Sequence, residues 1–101
     1  MSDYDHTRLD ELIHSRLRLA IMTVLANVER AEFTFLRDQV KATDGNLGSH
    51  LRRLEEAGYV EARKRFVDRK PATDYRLTAA GRRAFKAYLA QLASMIGEPS
   101  R

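Results

Sequence analysis

Two groups of arginine, lysine and small polar side chains follow one another in the second half of the sequence. The first group lies within residues 44–57, where Leu47, Leu51 and Leu54 recur at i, i+4 and i+7. This spacing predicts a helix that buries one narrow stripe, and a rotation of about 100° per residue places polar side chains on the opposite face. The residues of that face are Gly45, Ser49, Arg52, Arg53 and Glu56, and Asn46 lies near its edge.

A helix with this surface fits the major groove of double-stranded DNA. There an arginine can bond guanine O6 and N7, an asparagine can bond adenine N6 and N7, and Ser49 can bond a base edge or a phosphate. The alternative is an ordinary solvated face, which Glu55 and Glu56 favour for the C-terminal half because they would repel phosphate. His50 lies beside the leucine stripe, so we expect it to be partly buried and structural rather than a phosphate contact.

The second group of cations lies in residues 59–78, whose pattern predicts a hairpin of two strands joined by a charged turn. Apolar side chains alternate with polar ones in both strands: Val60, Ala62 and Phe66 in the first, Tyr75 and Leu77 in the second. The arms and the tip carry Arg63, Lys64, Arg65, Arg69 and Lys70. We expect Asp68 to be the only acidic residue that opposes these cations.

Like charges at this density repel one another, and phosphate groups would relieve the repulsion and release condensed counterions. The alternative is a solvated tip whose cations protect an edge strand. We favour phosphate contact over residues 63–73, here called the basic wing, because it directly follows the helix 44–57. Both surfaces could then meet one duplex, with the helix in the major groove and the wing on the backbone or in the minor groove. The expected wing contacts are Arg63, Arg65, Arg69 and Lys70.

Helical elements must position these two surfaces. Apolar residues recur at helical spacing over residues 9–28, over the short stretch 33–40 and over residues 79–96. A polar turn with a glycine precedes the leucine-striped helix, and Thr43 or Asp44 can cap that helix. The order helix, short helix, helix, hairpin, helix contains the helix-turn-helix pattern. We therefore expect a mainly α fold of the α+β class.

One domain accounts for residues 1–101, with a core over about 9–78 and a C-terminal helix over about 79–96. The net charge of +4 and the sequence pI of about 9.8 favour an anionic partner. Cysteine is absent, so thiolate metal sites are excluded and no metal site is expected. The histidines are scattered along the chain, at His6, His14 and His50.

Membrane and enzyme classes receive no support from the sequence. No apolar run approaches the roughly 18 residues that span a bilayer, and residues 1–8 are polar rather than a signal peptide. We expect a cytoplasmic protein without a membrane partner. A glycine-rich phosphate loop and a nucleophile paired with a base are both absent, so we expect neither catalysis nor a cofactor.

Five segments carry a resemblance to the winged helix-turn-helix regulators allied to the MarR and ArsR families, especially their small single-domain members. In order they are residues 18–22, 33–37, 44–51, 54–60 and 75–81, which read RLAIM, FTFLR, DGNLGSHL, LEEAGYV and YRLTAAG. The resemblance implies a transcriptional regulator with a two-stranded wing. It also implies a homodimer, joined through the terminal helices, whose two recognition helices read a roughly palindromic site.

The helical pattern of residues 9–28 is apolar on two sides, and Ala87, Ala90 and Ala93 leave one side of the last helix smooth. We expect dimer contacts from Leu9, Leu12, Leu19, Met22, Leu89, Leu92 and Ile96. The alternative is that the two terminal helices cover each other within one subunit. A second functional alternative is a winged-helix adaptor that binds proteins without specific DNA binding.

Overall fold

Four helices and three strands follow one another along residues 9–97, the part of the chain that the computed structural model describes. In chain order they are α1 (Arg16–Ala26), β1 (Ala31–Glu32), α2 (Phe33–Val40), α3 (Asp44–Glu56), β2 (Val60–Val67), β3 (Lys70–Leu77) and α4 (Ala79–Met95). The expected order of helix, short helix, helix, hairpin and helix is confirmed. None of the helices in this range is long or apolar enough to cross a membrane.

A hydroxyl side chain caps the N-terminus of each of the helices α1, α3 and α4. Ser15, Thr43 and Thr78 each accept a hydrogen bond from the backbone N–H three residues along, at 3.4, 3.1 and 2.9 Å. Such caps satisfy one of the amides that the first helical turn leaves free. Lys41, at φ 56°, ends α2 in the left-handed region, and Gly58, at φ 82°, follows the end of α3 as expected. The predicted cap at the start of α3 is therefore Thr43.

The strands form one antiparallel sheet in the order β1-β3-β2. β2 and β3 pair along their whole length, from Val60 opposite Leu77 to Val67 opposite Lys70. The two residues between the strands are residues 68 and 69, and both have positive φ, at 52° and 69°. Two successive residues with positive φ make the tight turn whose twist matches that of the strands, so the tip of the hairpin is closely defined.

β1 is the element that the sequence does not predict. Ala31 and Glu32 pair with Tyr75 and Asp74, within a stretch whose only signal is a break in the helical pattern. Two residues are too few for alternation to show. The expected two-stranded wing is present, and its base belongs to a sheet of three strands.

The register of the hairpin sorts its side chains into two faces, because residues paired across two strands share a face. The core face carries Val60 with Leu77, Ala62 with Tyr75, Lys64 with Thr73 and Phe66 with Pro71. The outer face carries Glu61 with Arg76, Arg63 with Asp74, Arg65 with Ala72 and Val67 with Lys70. Beyond Ala62 the core no longer covers the core face. Phe66 shares the face of Val60 and Ala62, as its alternation predicts, but its side chain is 71% exposed.

The leucine stripe of α3 lies at the centre of the core. Leu47, Leu51 and Leu54 are all at most 1% exposed, which confirms the predicted burial of this stripe. α1 contacts both α2 and α3, and Leu36 of α2 is completely buried. The face of α3 opposite to the stripe is therefore held toward solvent by the packing of α3 on α1 and β2.

The segment before α1 docks on the domain through side-chain hydrogen bonds. The helical spacing of residues 9–13 gives turns rather than a helix. The Tyr59 hydroxyl donates to the Asp10 carboxylate over 2.6 Å, and this bond, together with burial, raises the pKa of Tyr59 to about 12. The His14 ring and the Tyr88 hydroxyl lie 2.7 Å apart in a second hydrogen bond, which joins the segment to α4.

Candidate nucleic-acid interface

The outer side of α3 presents the polar face that the sequence predicts. The predicted contact residues on or beside that face are all exposed, namely Gly45, Asn46, Ser49, Arg52 and Arg53, and so is Glu56. Neither Arg52 nor Arg53 forms an ion pair with any residue from 9 to 97. The structure thus brings together two arginines, an amide and a hydroxyl on one side of a helix.

An ion pair neutralises the acidic residue at the start of α3. The Arg37 guanidinium donates to the Asp44 carboxylate over 2.9 Å and to Asp38 over 3.2 Å. These two hydrogen bonds raise the pKa of Arg37. Asp44 suits the positive end of the helix dipole, but its own charge would oppose a phosphate there. Arg37 offsets that charge and joins α2 to α3.

His50 of α3 contacts a buried arginine of α1, Arg18. One Arg18 nitrogen donates to His50 Nδ1 over 2.9 Å, and another donates to the carbonyl of Leu12. Since an arginine only donates, Nδ1 of His50 must accept and its ring is neutral. Burial, followed by the charges of Arg18 and Arg53, lowers the pKa of His50. The expected structural, half-buried role of His50 is confirmed.

Arg18 is 8% exposed and has no carboxylate partner among the residues described. Burial, and then the charge of Arg53, lower its pKa. Arg18 of α1 and Arg53 of α3 therefore lie close enough for their positive charges to repel each other. This region carries an uncompensated positive charge, which favours an anion on the exposed side.

A buried carboxylate changes the expected role of the wing arginines. The Asp74 side chain is 3% exposed and accepts hydrogen bonds from Arg63 at 3.1 Å, from Arg65 at 2.8 Å and from Arg30 at 3.4 Å. Arg65 also pairs with Glu32 over 3.3 Å. The expectation that Asp68 alone opposes the wing cations is wrong, because the register places Asp74 directly opposite Arg63.

The pKa of Asp74 shows which influence prevails at this cluster. Burial is the largest single effect and raises the pKa, but the hydrogen bonds and charges of Arg63 and Arg65 together lower it below its usual value. Asp74 is therefore a carboxylate that holds two wing arginines on the outer face. These two arginines serve the structure of the wing root, whatever contact with phosphate they also make.

The wing cations that form no ion pair with the described residues lie near the wing tip or on the core face of the hairpin. Lys64, Arg69 and Lys70 are exposed and form no ion pair within residues 9–97. Lys64 is one of the wing cations but was not among the contacts expected from the sequence. Its register position opposite Thr73 places it on the same sheet face as the residues that pack against α3. Counting the strand pairs back from the hairpin turn is what places Lys64 on this face.

The expected dimer residues divide into buried and exposed sets. Leu9 and Met22 are 7% and 0% exposed and belong to the core of the chain itself, so assigning them to a dimer surface is wrong. The middle set packs partly on the same core: Leu12, Leu19 and Leu92. Leu89 and Ile96 of the last helical segment are 44% and 70% exposed, which leaves them available to a partner.

No group of three histidine, aspartate or glutamate side chains in the described part of the chain is arranged to hold a metal ion. His6 lies outside the described residues. His14 contacts Tyr88 and His50 contacts Arg18.

A family model described as a winged helix DNA-binding domain matches residues 17–96. The chain is 37% identical over 82 residues to the uncharacterized protein MJ0432 of Methanocaldococcus jannaschii, a match that covers 81% of this chain and 89% of that one. The structure of a transcriptional regulator homologue from Pyrococcus horikoshii OT3 matches with a TM-score of 0.86 at 31% identity, over 96% of both chains.

A MarR-family transcriptional regulator from Silicibacter pomeroyi matches with a TM-score of 0.64 at 20% identity, over 89% of this chain and 62% of that one. This match shows a shared fold. Together with the family model, it confirms the winged-helix fold that the five sequence segments indicate.

Proposed function

The chain belongs to the family of winged helix DNA-binding domains, and from this premise we propose that it is a homodimeric transcriptional regulator that reads a specific DNA sequence. α3 enters the major groove, and the wing lies along the backbone or in the minor groove. Exposure of the unpaired Arg52 and Arg53 beside Asn46 and Ser49 on one helix face is the observation that carries this proposal.

The distribution of ion pairs supports this choice of surface. Near α3 and the wing, Arg37, Arg63 and Arg65 are each paired with a carboxylate, whereas Arg52 and Arg53 have none among residues 9–97. An unpaired guanidinium keeps its donors for guanine or phosphate, and bidentate contact to guanine is worth about 1–3 kcal/mol of discrimination.

The wing supplies the contacts that do not depend on sequence. Lys64, Arg69 and Lys70 are exposed and unpaired within the described chain, so each can neutralise a phosphate and release a counterion. Arg63 and Arg65 remain expected phosphate contacts through their exposed donors, since their side chains are 51% and 38% exposed. Their main partner is Asp74.

The homodimer rests on α4. Leu89 and Ile96 are exposed apolar residues on or beside the part of α4 that leaves the domain core, and a second copy would cover them. A two-fold dimer would place its recognition helices about 34–36 Å apart, one turn of the DNA helix. Sedimentation of the Leu89→Glu, Ile96→Glu double variant tests this point: we expect monomers, and an unchanged dimer would exclude α4 as the interface.

Salt-dependent DNA binding of a paired set of variants tests the interface. We expect Arg52→Ala, Arg53→Ala to weaken binding to a selected duplex and to flatten the plot of log affinity against log salt by about 0.9 for each phosphate that the variant no longer neutralises. The control is Arg82→Ala, Arg83→Ala, which removes an equally exposed adjacent pair from α4 and should leave both quantities unchanged. Equal losses in both variants would refute the assignment of α3, and no DNA binding by the unaltered protein would favour the adaptor alternative.

A further inference from the structure

The wing carries an aromatic side chain that its own fold leaves in solvent. Phe66 is 71% exposed, far more than the other exposed phenylalanine, Phe35, at 44%. It lies one residue before the end of β2, on the core face, directly opposite Pro71 of β3. The two apolar residues continue the core face beyond the point where helices cover it.

Cationic side chains lie around Phe66, and ion pairs join the two strands at the root of its hairpin. Lys64 shares its face, and Lys70 and Arg69 lie at the adjacent tip. The ion pairs of Asp74 with Arg63 and Arg65 join both strands at the wing root. The hairpin therefore holds the apolar ring of Phe66 on a backbone of defined geometry. Little conformational freedom is then lost when a partner covers the ring.

The partner that suits an apolar ring among unpaired cations is an anionic surface with an aromatic interior. A DNA duplex has this chemistry: phosphates lie along the groove edge and stacked bases lie between them. Apolar side chains that enter the minor groove separate neighbouring base pairs and kink the duplex. A second protein would need an acidic rim around an apolar site, whereas every duplex provides the phosphates.

We propose that Phe66, supported by Pro71, inserts at a base step in the minor groove and kinks the DNA that α3 reads. This inference rests on the proposed function, because it requires the wing and α3 to meet one duplex. The flexible pyrimidine–purine steps TA and CA/TG unstack with the least resistance. The wing thus gives the binding site a preference for such a step beside each half-site, without hydrogen bonds to its bases.

Bending of a duplex selected by the unaltered protein from a random pool tests the wedge. The duplex carries a fluorescence donor and acceptor at its ends, so a kink of about 20–90° shortens the distance between them. We expect Phe66→Ala to leave the bound duplex nearly straight and to weaken binding about tenfold, within the range found for base–aromatic contacts. The slope of log affinity against log salt stays the same, since no phosphate contact is removed.

Val67→Ala is the matched control, because it truncates the neighbouring apolar residue, 39% exposed, on the outer face. We expect it to bind and bend DNA like the unaltered protein. Bound duplexes that stay straight with the unaltered protein, or that bend equally with Phe66→Ala, would overturn the wedge and leave the proposed function intact. Loss of dimers in Phe66→Ala would instead place Phe66 at an interface between copies. Failure of the unaltered protein to select any duplex would overturn the proposed function itself.

Discussion

Replacing Asp74 with asparagine tests how far one buried carboxylate organises the wing. The Asp74 side chain is 3% exposed and accepts from three guanidiniums at 2.8, 3.1 and 3.4 Å. Asparagine keeps the shape and one acceptor oxygen but removes the negative charge. Two arginines of β2 and Arg30, which precedes β1, then lie close together without the anion that holds them.

The expected loss of stability depends on how deeply the carboxylate and the arginines of these ion pairs are buried. Breaking a fully buried pair costs about 3–5 kcal/mol, and breaking a surface pair costs about 0–1 kcal/mol. The carboxylate is buried, but the arginine side chains are 34–51% exposed and regain water when released. We therefore expect the free energy of unfolding to fall by about 2 kcal/mol, which corresponds to about 8–16 °C in Tm for a domain of this size.

The pH dependence of the free energy of unfolding provides an independent test of the same ion pairs. Because the folded pKa of Asp74 lies below its usual value, the folded state holds fewer protons than the unfolded state around and below about pH 4. The contribution of the carboxylate is complete above the unfolded pKa and disappears as the pH falls through the folded pKa. The difference between wild type and Asp74→Asn should therefore shrink on acidification.

Urea unfolding followed by circular dichroism at neutral pH measures the loss, and an unchanged m value shows that the comparison is valid. Asp68→Asn is the control: Asp68 is exposed, forms no ion pair with the described residues and has a positive φ that asparagine also adopts. A loss below about 0.5 kcal/mol in Asp74→Asn, the usual size of a neutral surface change, would refute the reasoning. So would an equal loss in Asp68→Asn.

Three further predictions concern α3 and α4. A Cβ at Gly81 would collide with the backbone carbonyl of Tyr59, so Gly81→Ala should cost at least about 1–3 kcal/mol in thermal unfolding. Gly48→Ala meets nothing within 4 Å and should stabilise α3 by about 0.5–1 kcal/mol. The lowered pKa of His50 means that the unfolded state takes up its proton first, so stability should fall as the pH drops below about 6.5. His50→Gln should remove this part of the pH dependence in denaturation curves.

The part of the fold that could be predicted depends on local periodicity. The stripe of Leu47, Leu51 and Leu54 requires only a helical repeat, and the cap at Thr43 requires only a hydroxyl before that repeat. Both follow from a short window of sequence. The exposed face of α3 follows from the stripe, because the two lie on opposite sides of one helix. The polar face of the candidate interface could therefore be predicted from sequence.

The part that could not be predicted depends on contacts between distant residues. The pairing of Arg63 with Asp74 depends on hairpin register, and a count of charges along β2 and the tip misses it. Phe66 is exposed because β2 and β3 extend beyond the part of their core face that the domain core covers. The alternation of polar and apolar residues does not show where that cover ends. Met22 lies on a helix with two apolar sides, and sequence alone does not distinguish cover by α4 from cover by a second copy. In the structure the subunit's own core covers it.

The placement of ion pairs separates the stability of the domain from its affinity for DNA. Asp74 is buried, so dissolved ions weaken its contacts with Arg63 and Arg65 only slightly. The side chains of Arg52, Arg69 and Lys70 are exposed, and salt screens exposed charges over about 8–10 Å at physiological ionic strength. In the proposed interface, binding of these exposed cations to phosphates would release condensed counterions, and the free energy gained from that release falls as the salt concentration rises. For the proposed interface, we therefore expect ionic strength to change the affinity over a wide range while the wing root keeps its geometry.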